Sequence, residues 1–421
     1  MLYLCIILSL ICIFIARKSY KELCPGKLFT YYWAGQILLF IIGGYGYLQF
    51  KYSGILFILL CVLTFNLGAN LFNSRKKNKT LILKKSRICF NDRKLLQIVV
   101  ISNLLGFISP IYDLISHGFD LSGLFDLSTV LEMNNGMSVE RYSGEEKTGG
   151  IFIKLLSVFG CLSPLLGGFV INLVPIKKAK LLCIIALLPA LFGSLTQGAK
   201  MGIITSVFLF FSGYIVCGFL NNRTPKFKIK YFVGGVLGAM LFFSILLTSM
   251  MFRIGKFDID TFSIVTVKFI SYAFGHLPAF DIWFDKQDIL TDSMSFGGKM
   301  FMGITNFLGI MKREQGLYQE FITISNMGDE TNVFTIFRIF IYDFGIIGTP
   351  LFCFFLGAFF QNAYIKCRCL INYKISTIIL ICFYCMIFWS FVTSIFVYTT
   401  FIVTFIMFYV ILTKYSHKVP L

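Results

Sequence analysis

Residues 54–72 read GILFILLCVLTFNLGANLF, a stretch without one charged side chain. A hydrocarbon core of about 30 Å needs about 20 apolar residues to be crossed as a helix, and this segment has that length. The same pattern recurs on both sides of it. Apolar runs at 2–16, 28–50, 95–116, 151–175, 181–197, 201–220, 231–251, 333–360, 375–392 and 395–413 bring the expected spans to about eleven. The last two come from one run too long for a single crossing, which we divide near Ser390–Ser394. The chain of 421 residues is 57% hydrophobic and 14% charged, with 50 Phe and a mean hydropathy of +0.81. That leaves too little polar surface to cover a soluble body of this size. The sequence therefore specifies an all-α polytopic membrane protein. A cytosolic enzyme, a nucleic-acid binder and a disulfide-stapled secreted module are excluded.

The net charge of +18 is a topology signal. With eleven spans, six basic stretches fall on one side: Arg17–Lys27, Arg75–Lys94, Lys177–Lys180, Arg223–Lys230, Lys366–Lys374 and Lys414–Lys418. Together they hold 25 basic and 2 acidic residues, against 13 basic and 18 acidic elsewhere. The basic side is expected in the cytoplasm, which puts the N-terminus outside and the C-terminus inside, with added attraction to anionic membrane lipid. Arg17 and Lys18 follow the first apolar run and no basic segment precedes it, so it reads as a retained helix, not a cleaved signal. The 13 Cys lie mostly within spans and read as small apolar packing residues. No zinc spacing, P-loop, dinucleotide fingerprint or nucleophile elbow occurs, and no metal or cofactor is expected.

The expected organisation is one integral membrane domain over 1–421 with two long outer loops, an acidic one at 117–150 and a larger one at 252–332. Long loops with structure of their own are usually functional. Within the larger loop, 262–284 and 296–311 are apolar but interrupted. They read as short amphipathic helices lying on or dipping into the outer leaflet, or else as loop packed on the bundle. Ionisable residues within spans are functional candidates, because burying a charge is costly. Arg338 and Asp343 lie within 333–360, five apart and so on different faces. Lys200, Arg253, Asn332 and Arg338 come at one depth, near the outer interface. Each cation alone also reads as a side chain snorkelling to headgroups. Gathered from separate helices, they would grip a diphosphate.

Four stretches make the chain resemble the Wzy-type O-antigen and capsule polymerases, the oligosaccharide repeat-unit polymerases of bacterial inner membranes. They are the turn Thr196-Gln-Gly-Ala-Lys200, Arg253 at the head of the larger loop, and the pair Ser271–Phe284 and Phe296–Leu308. The fourth is Asn332-Val-Phe-Thr-Ile-Phe-Arg-Ile-Phe-Ile-Tyr-Asp-Phe-Gly-Ile-Ile-Gly348, which carries a T…DFG..G pattern. Lys200 departs from the commoner Arg, keeping the charge without the bidentate fork. The resemblance implies a GT-C-like, metal-independent glycosyltransferase without cofactor. Its substrate is an undecaprenyl-diphosphate-linked oligosaccharide, transferred onto the next lipid-linked repeat at the outer face of the inner membrane. A Wzz-type chain-length regulator is the implied partner.

The chemistry is consistent with the residues. A departing diphosphate gains charge, which Arg253, Lys200 and Arg338 would stabilise. His276, the one His of the larger loop, is the candidate base, with Asp329 and Glu330 as rivals. Tyr272 and Asn332 are candidates for hydrogen bonds to sugar or phosphate, and Arg141 for contact with glycan. Asp343 is expected beside a buried cation, holding it in place. A flippase for the same lipid-linked sugars and an O-antigen ligase are the alternatives. The flippase is disfavoured by the lack of an internal repeat.

Overall fold

The structure, a computed structural model, describes residues 1–20, 22–44, 46–73, 86–143, 151–197, 200–221, scattered positions between 244 and 274, and 275–286, 294–312, 320–326 and 328–420. The described chain is mostly helical. In order come α1 (Leu2–Ser19), α2 (Pro25–Gly44), α3 (Ser53–Asn73), α4 (Asp92–Ser116), α5 (Leu127–Ser143), α6 (Ile151–Val170), α7 (Lys177–Ile185), α8 (Leu188–Gln197) and α9 (Lys200–Leu220). They are followed by α10 (His276–Asp285), α11 (Met302–Phe307), α12 (Ile336–Arg368), α13 (Tyr373–Trp389) and α14 (Thr399–Tyr415).

Helices stand where the sequence places spans, save for 231–251, which lies almost wholly outside the described residues. By length and composition, six described segments can cross a membrane: Leu2–Ser19, Ser53–Phe72, Asp92–Ser116, Lys177–Gln197, Met201–Leu220 and Ile336–Arg368. Shorter apolar helices at Leu155–Val170, Tyr373–Trp389 and Thr399–Tyr415 accompany them. The chain is a mostly helical, multi-pass membrane protein. The span expected at 181–197 is two helices, α7 and α8, parted by a turn just ahead of Pro189. Proline lacks an N–H and its ring crowds the carbonyl four residues back, so the helix of α7 does not run on through Pro189.

The chain divides into two compact units. The first joins Met1–Arg87 to Ile270–Ile402. Its axis is the crossing of α3 and α12, where glycines bring the backbones together. A Cβ at Gly68 would overlap the Phe354 carbonyl, and one at Gly357 would overlap the Phe65 carbonyl. Such contact is how helices associate where lipid removes the hydrophobic drive. Stacked Phe29 and Phe65 (4.0 Å) and tilted Phe360 and Phe383 (4.7 Å) fill the space beside it. In α1 the buried positions are Cys5, Ser9, Cys12 and Ala16, small residues on one face, while Tyr3, Ile7, Leu10 and Phe14 point outward.

The second unit joins Ile88–Phe269 to Val403–Val419. It repeats the device: Cβ atoms at Gly168 and Gly213 would overlap the carbonyls of Phe210 and Leu165, so α6 and α9 also touch through backbone. Phe408 of α14 packs edge-on against Phe169 (5.3 Å). The acidic segment after α4 is built, not solvated filler. Asp120 and Asp126 accept from the amides of Ser122 (3.0 Å) and Thr129 (3.1 Å). Hydroxyls and amides on Asp126 pull its pKa down to about 2. Met133 and Met137 of α5 make a small core with Leu114.

Asp281 of α10 is wholly buried. Its Oδ2 accepts from the amides of Lys51 and Tyr52 (both 2.7 Å), and its Oδ1 from those of Gly54 (2.8 Å) and Ile55 (3.4 Å). These are the unpaired donors at the start of α3, so a residue more than 200 positions away caps that helix. Burial raises the carboxyl's pKa and the four amides oppose the rise. Gly54 permits the approach: a Cβ there would come within 2.8 Å of the Asp281 Cα. Asp281→Asn turns an amide donor toward one pair of N–H groups. It is expected to cost about 1–3 kcal/mol, read as a lower melting temperature of the detergent-solubilised protein. Gly357→Leu, which forces α3 and α12 apart, is expected to cost about as much or more by the same measurement.

Candidate functional site

The sequence offers a buried cation in Arg338, and the structure surrounds it. Arg338 lies in the first turn of α12, and only 4% of the residue is exposed. Its guanidinium carbon lies 4.0 Å from the Phe334 ring centroid, 4.7 Å from that of Trp283 and 5.6 Å from that of Tyr342. One terminal nitrogen donates to the Tyr342 hydroxyl (3.1 Å) and to a carboxylate oxygen of Glu320 (2.8 Å). A flat, weakly hydrated cation suits such an aromatic box better than an ammonium would. A second cation joins it, since the Lys299 Nζ stands 3.9 Å from the centroid of the same Tyr342 ring. Arg338, Lys299, Tyr342 and Glu320 thus form a cationic group with one carboxylate, walled by Trp283 and Phe334.

Two local devices hold these residues. The first is the Tyr342-Asp343-Phe344-Gly345 stretch. Gly345 has φ 71° and ψ 174°, a conformation that disfavours any side chain, and it breaks α12 into a short leading piece and a long trailing helix. A Cβ there would also press on Met294 (2.9 Å). Phe344 turns to stack on Phe352 (4.0 Å). Asp343, fully buried, accepts from the amides of Lys299 (3.0 Å) and Met300 (2.8 Å) and from the Ser295 hydroxyl. The backbone follows suit, with Phe296 N donating to the Asp343 carbonyl (3.0 Å). Asp343 therefore pins the turn that carries Lys299. This corrects the expectation of a buried cation beside it, because among the described residues amides and a hydroxyl take the carboxylate. The second device is α10, whose His276, Phe280 and Trp283 share one face at helical spacing. Phe280 meets Phe337 (6.3 Å) and Trp283 meets Tyr342 (5.6 Å), so α10 lies along the first turns of α12.

Segment 262–284 admits two readings, and packing decides between them for residues 276–283. Residues 276–283 are buried, so α10 is inside the unit and does not lie on a leaflet. Segment 296–311 differs: Phe296, Phe307, Leu308 and Ile310 are strongly exposed around α11. His276 is 1% exposed, edge-on to Phe391 (5.6 Å), and among the described residues neither ring nitrogen has a hydrogen-bond partner. Burial pushes its pKa down to about 3. A proton gained there would be an uncompensated buried charge, which tells against the expected role as a base. His276 is seven residues from Trp283, about 10 Å along the helix axis. The rival Asp329 accepts from the Ser325 hydroxyl (2.7 Å) and from the Tyr47 hydroxyl. Glu330 is exposed and Asn332 half-buried, in the extended stretch leading to α12. Arg253 and Tyr272 lie outside the described residues. So do the side chains of Lys200 and Arg141, which open α9 and stand near the end of α5.

Sequence reading passes over Lys299, Tyr342, Trp283 and Glu320. Tyr342 carried a signal, being four residues after Arg338 and thus on its helix face. The other three reach Arg338 only through tertiary folding. No family model, curated protein or solved structure matches this chain.

The neutral, buried His276 sets a pH dependence whose sign is fixed. An unfolded chain takes up a proton on this imidazole near pH 6.5, whereas the folded one stays neutral to about pH 3. Stability falls as pH drops below about 6.5, by about 1.4 kcal/mol per unit from this group. His276→Phe is expected to flatten the melting-temperature profile between pH 7 and 5 relative to wild type. Gly345→Ala is expected to cost about 1–3 kcal/mol, seen in the same melting assay.

Proposed function

We propose that this chain is a glycosyltransferase that polymerises oligosaccharide repeat units carried on undecaprenyl diphosphate. In this reading it is a Wzy-type enzyme of the bacterial inner membrane, with about eleven spans, its N-terminus outside, a GT-C-like fold and a chain-length regulator as partner. The growing glycan is transferred onto the terminal sugar of the next lipid-linked repeat, and undecaprenyl diphosphate leaves. The observation that carries the reading is the buried Arg338 with Lys299 at the head of a long apolar helix. A cation held in an aromatic box, with a second one over the same Tyr342 ring, is equipped to meet a diphosphate at a membrane surface.

As the sugar–oxygen bond breaks, negative charge collects on the diphosphate. Arg338 and Lys299 would meet that charge from a site with little water around the guanidinium, where fixed donors stabilise it without reorganising. The exposed apolar residues around α11 would lie against the lipid chain. His276 enters as a neutral group, not as the base. Arg253, Lys200, Tyr272, Asn332 and Arg141 stay as candidates for further contacts with diphosphate and glycan.

Surface-glycan length on gels tests the proposal. Deletion of the gene is expected to collapse the ladder to core plus one repeat unit, and wild type to restore it. Arg338→Ala is expected to leave the collapse in place with the protein still in the membrane, and Arg338→Lys to restore a small fraction, since charge remains without the fork. Loss of every repeat unit on deletion would favour flipping or ligation instead. Full-length chains in Arg338→Ala would remove the cation from the mechanism.

A further inference from the structure

The ion pair at the centre of the site is lopsided. The Arg338 side chain is 5% exposed and the Glu320 side chain is 51% exposed. The cation is enclosed by aromatic rings, and a guanidinium is a permanent charge. The carboxylate stands half in water and can return there at small cost. The buried member therefore needs an anion at all times, while the anion present is the replaceable one.

The charges point the same way. Among the described residues Lys299 makes no ion pair, and its ammonium faces the ring of Tyr342, whose hydroxyl accepts from Arg338. The group thus holds two cations against one carboxylate. Among the described residues the Glu320 carboxylate reaches only Arg338. A ligand with two or more negative charges could serve both cations, which a single carboxylate does not.

We propose that Glu320 is an internal stand-in for the phosphate, occupying the Arg338 seat until a diphosphate displaces it, and that it thereby sets the affinity and selectivity of the site. This inference rests on the reading of Arg338 and Lys299 as the diphosphate seat. Exchange of one charge-assisted hydrogen bond for another leaves the guanidinium paired throughout, so no buried charge is exposed along the way. A monoanion gains little by the exchange, because it replaces Glu320 like for like. A diphosphate gains the second cation as well. Glu320 thus discriminates against singly charged headgroups, which abound at membrane surfaces.

The test uses the full-length protein in nanodiscs with radiolabelled farnesyl diphosphate as probe. Unlabelled pyrophosphate, farnesol and phosphatidylglycerol serve as competitors. Wild type is expected to bind the probe. Glu320→Gln is expected to bind it about tenfold more tightly, and to bind phosphatidylglycerol where wild type does not. Arg338→Gln and Lys299→Gln are each expected to weaken binding about tenfold or more. Competition by pyrophosphate assigns recognition to the diphosphate itself. Its failure, with farnesol competing, would assign recognition to the chain and overturn the proposal. Unchanged or weaker binding in Glu320→Gln would also overturn it while leaving the diphosphate seat intact. So would a melting temperature well below wild type, because Glu320 would then be a structural partner. If wild type binds no probe, the seat itself is wrong and both readings fall. Emission from Trp283, against the Arg338 guanidinium, gives a second readout of occupancy.

Discussion

A carboxylate taken out of water must be met by donors, and in the first unit two are met by backbone. Asp281 takes four amides at the start of α3, and Asp343 takes two amides and a hydroxyl from the turn before α11. Neither uses a cation among the described residues. Backbone donors cannot rotate away as a side chain can, so each carboxylate fixes a strand of chain as well as a charge. Asp281 stands two residues before Trp283, and Asp343 follows Tyr342 directly. The elements carrying the neighbours of Arg338 are therefore located by these two buried anions. Arg338 is met by Glu320 instead.

Helix crossings give that arrangement its base. In both units helices touch through glycine, where a single Cβ would collide with a facing carbonyl. Between apolar helices in lipid, dispersion and close backbone approach have to supply what the hydrophobic effect supplies in water. Gly345 has a different task. Its positive φ ends one helical piece and begins another, so Arg338 and Tyr342 sit on a short segment aimed separately from the long helix behind it. A straight helix would carry Asp343 and the turn it holds elsewhere.

Much of the fold was legible because one solvent dictates it. Twenty apolar residues in sequence have few alternatives, and helices indeed stand at the spans read around 54–72, 95–116 and 201–220. The break ahead of Pro189 follows from proline's chemistry but was masked by the continuous apolarity of 181–197. In the site, Arg338 was legible as a charge where none is cheap. Asp343 was legible as unusual yet misread in its partner, since pairing with a cation is the commonest way to bury a carboxylate and backbone amides leave no mark in sequence. Lys299 lies in a stretch that reads as an apolar floor. Glu320 and Trp283 gain meaning only once α10 and the segment before α12 fold against Arg338. His276 looked like a base for being alone in its loop, and its burial took that role away.

A permanently charged side chain in an aromatic box constrains what such a site can do. Arginine keeps its proton, so its charge is always present and always matched by some anion. Binding there is an exchange of partners, and the ground-state gain is small when one carboxylate-like group replaces another. The gain grows if the ligand's charge grows during reaction, because the cation is already oriented and already desolvated. For a departing diphosphate that difference falls in the transition state, where it lowers the barrier without trapping the substrate. On the proposed reading, a resident carboxylate on the first cation weakens ground-state binding, while both cations meet the charge that grows on the diphosphate as the bond breaks.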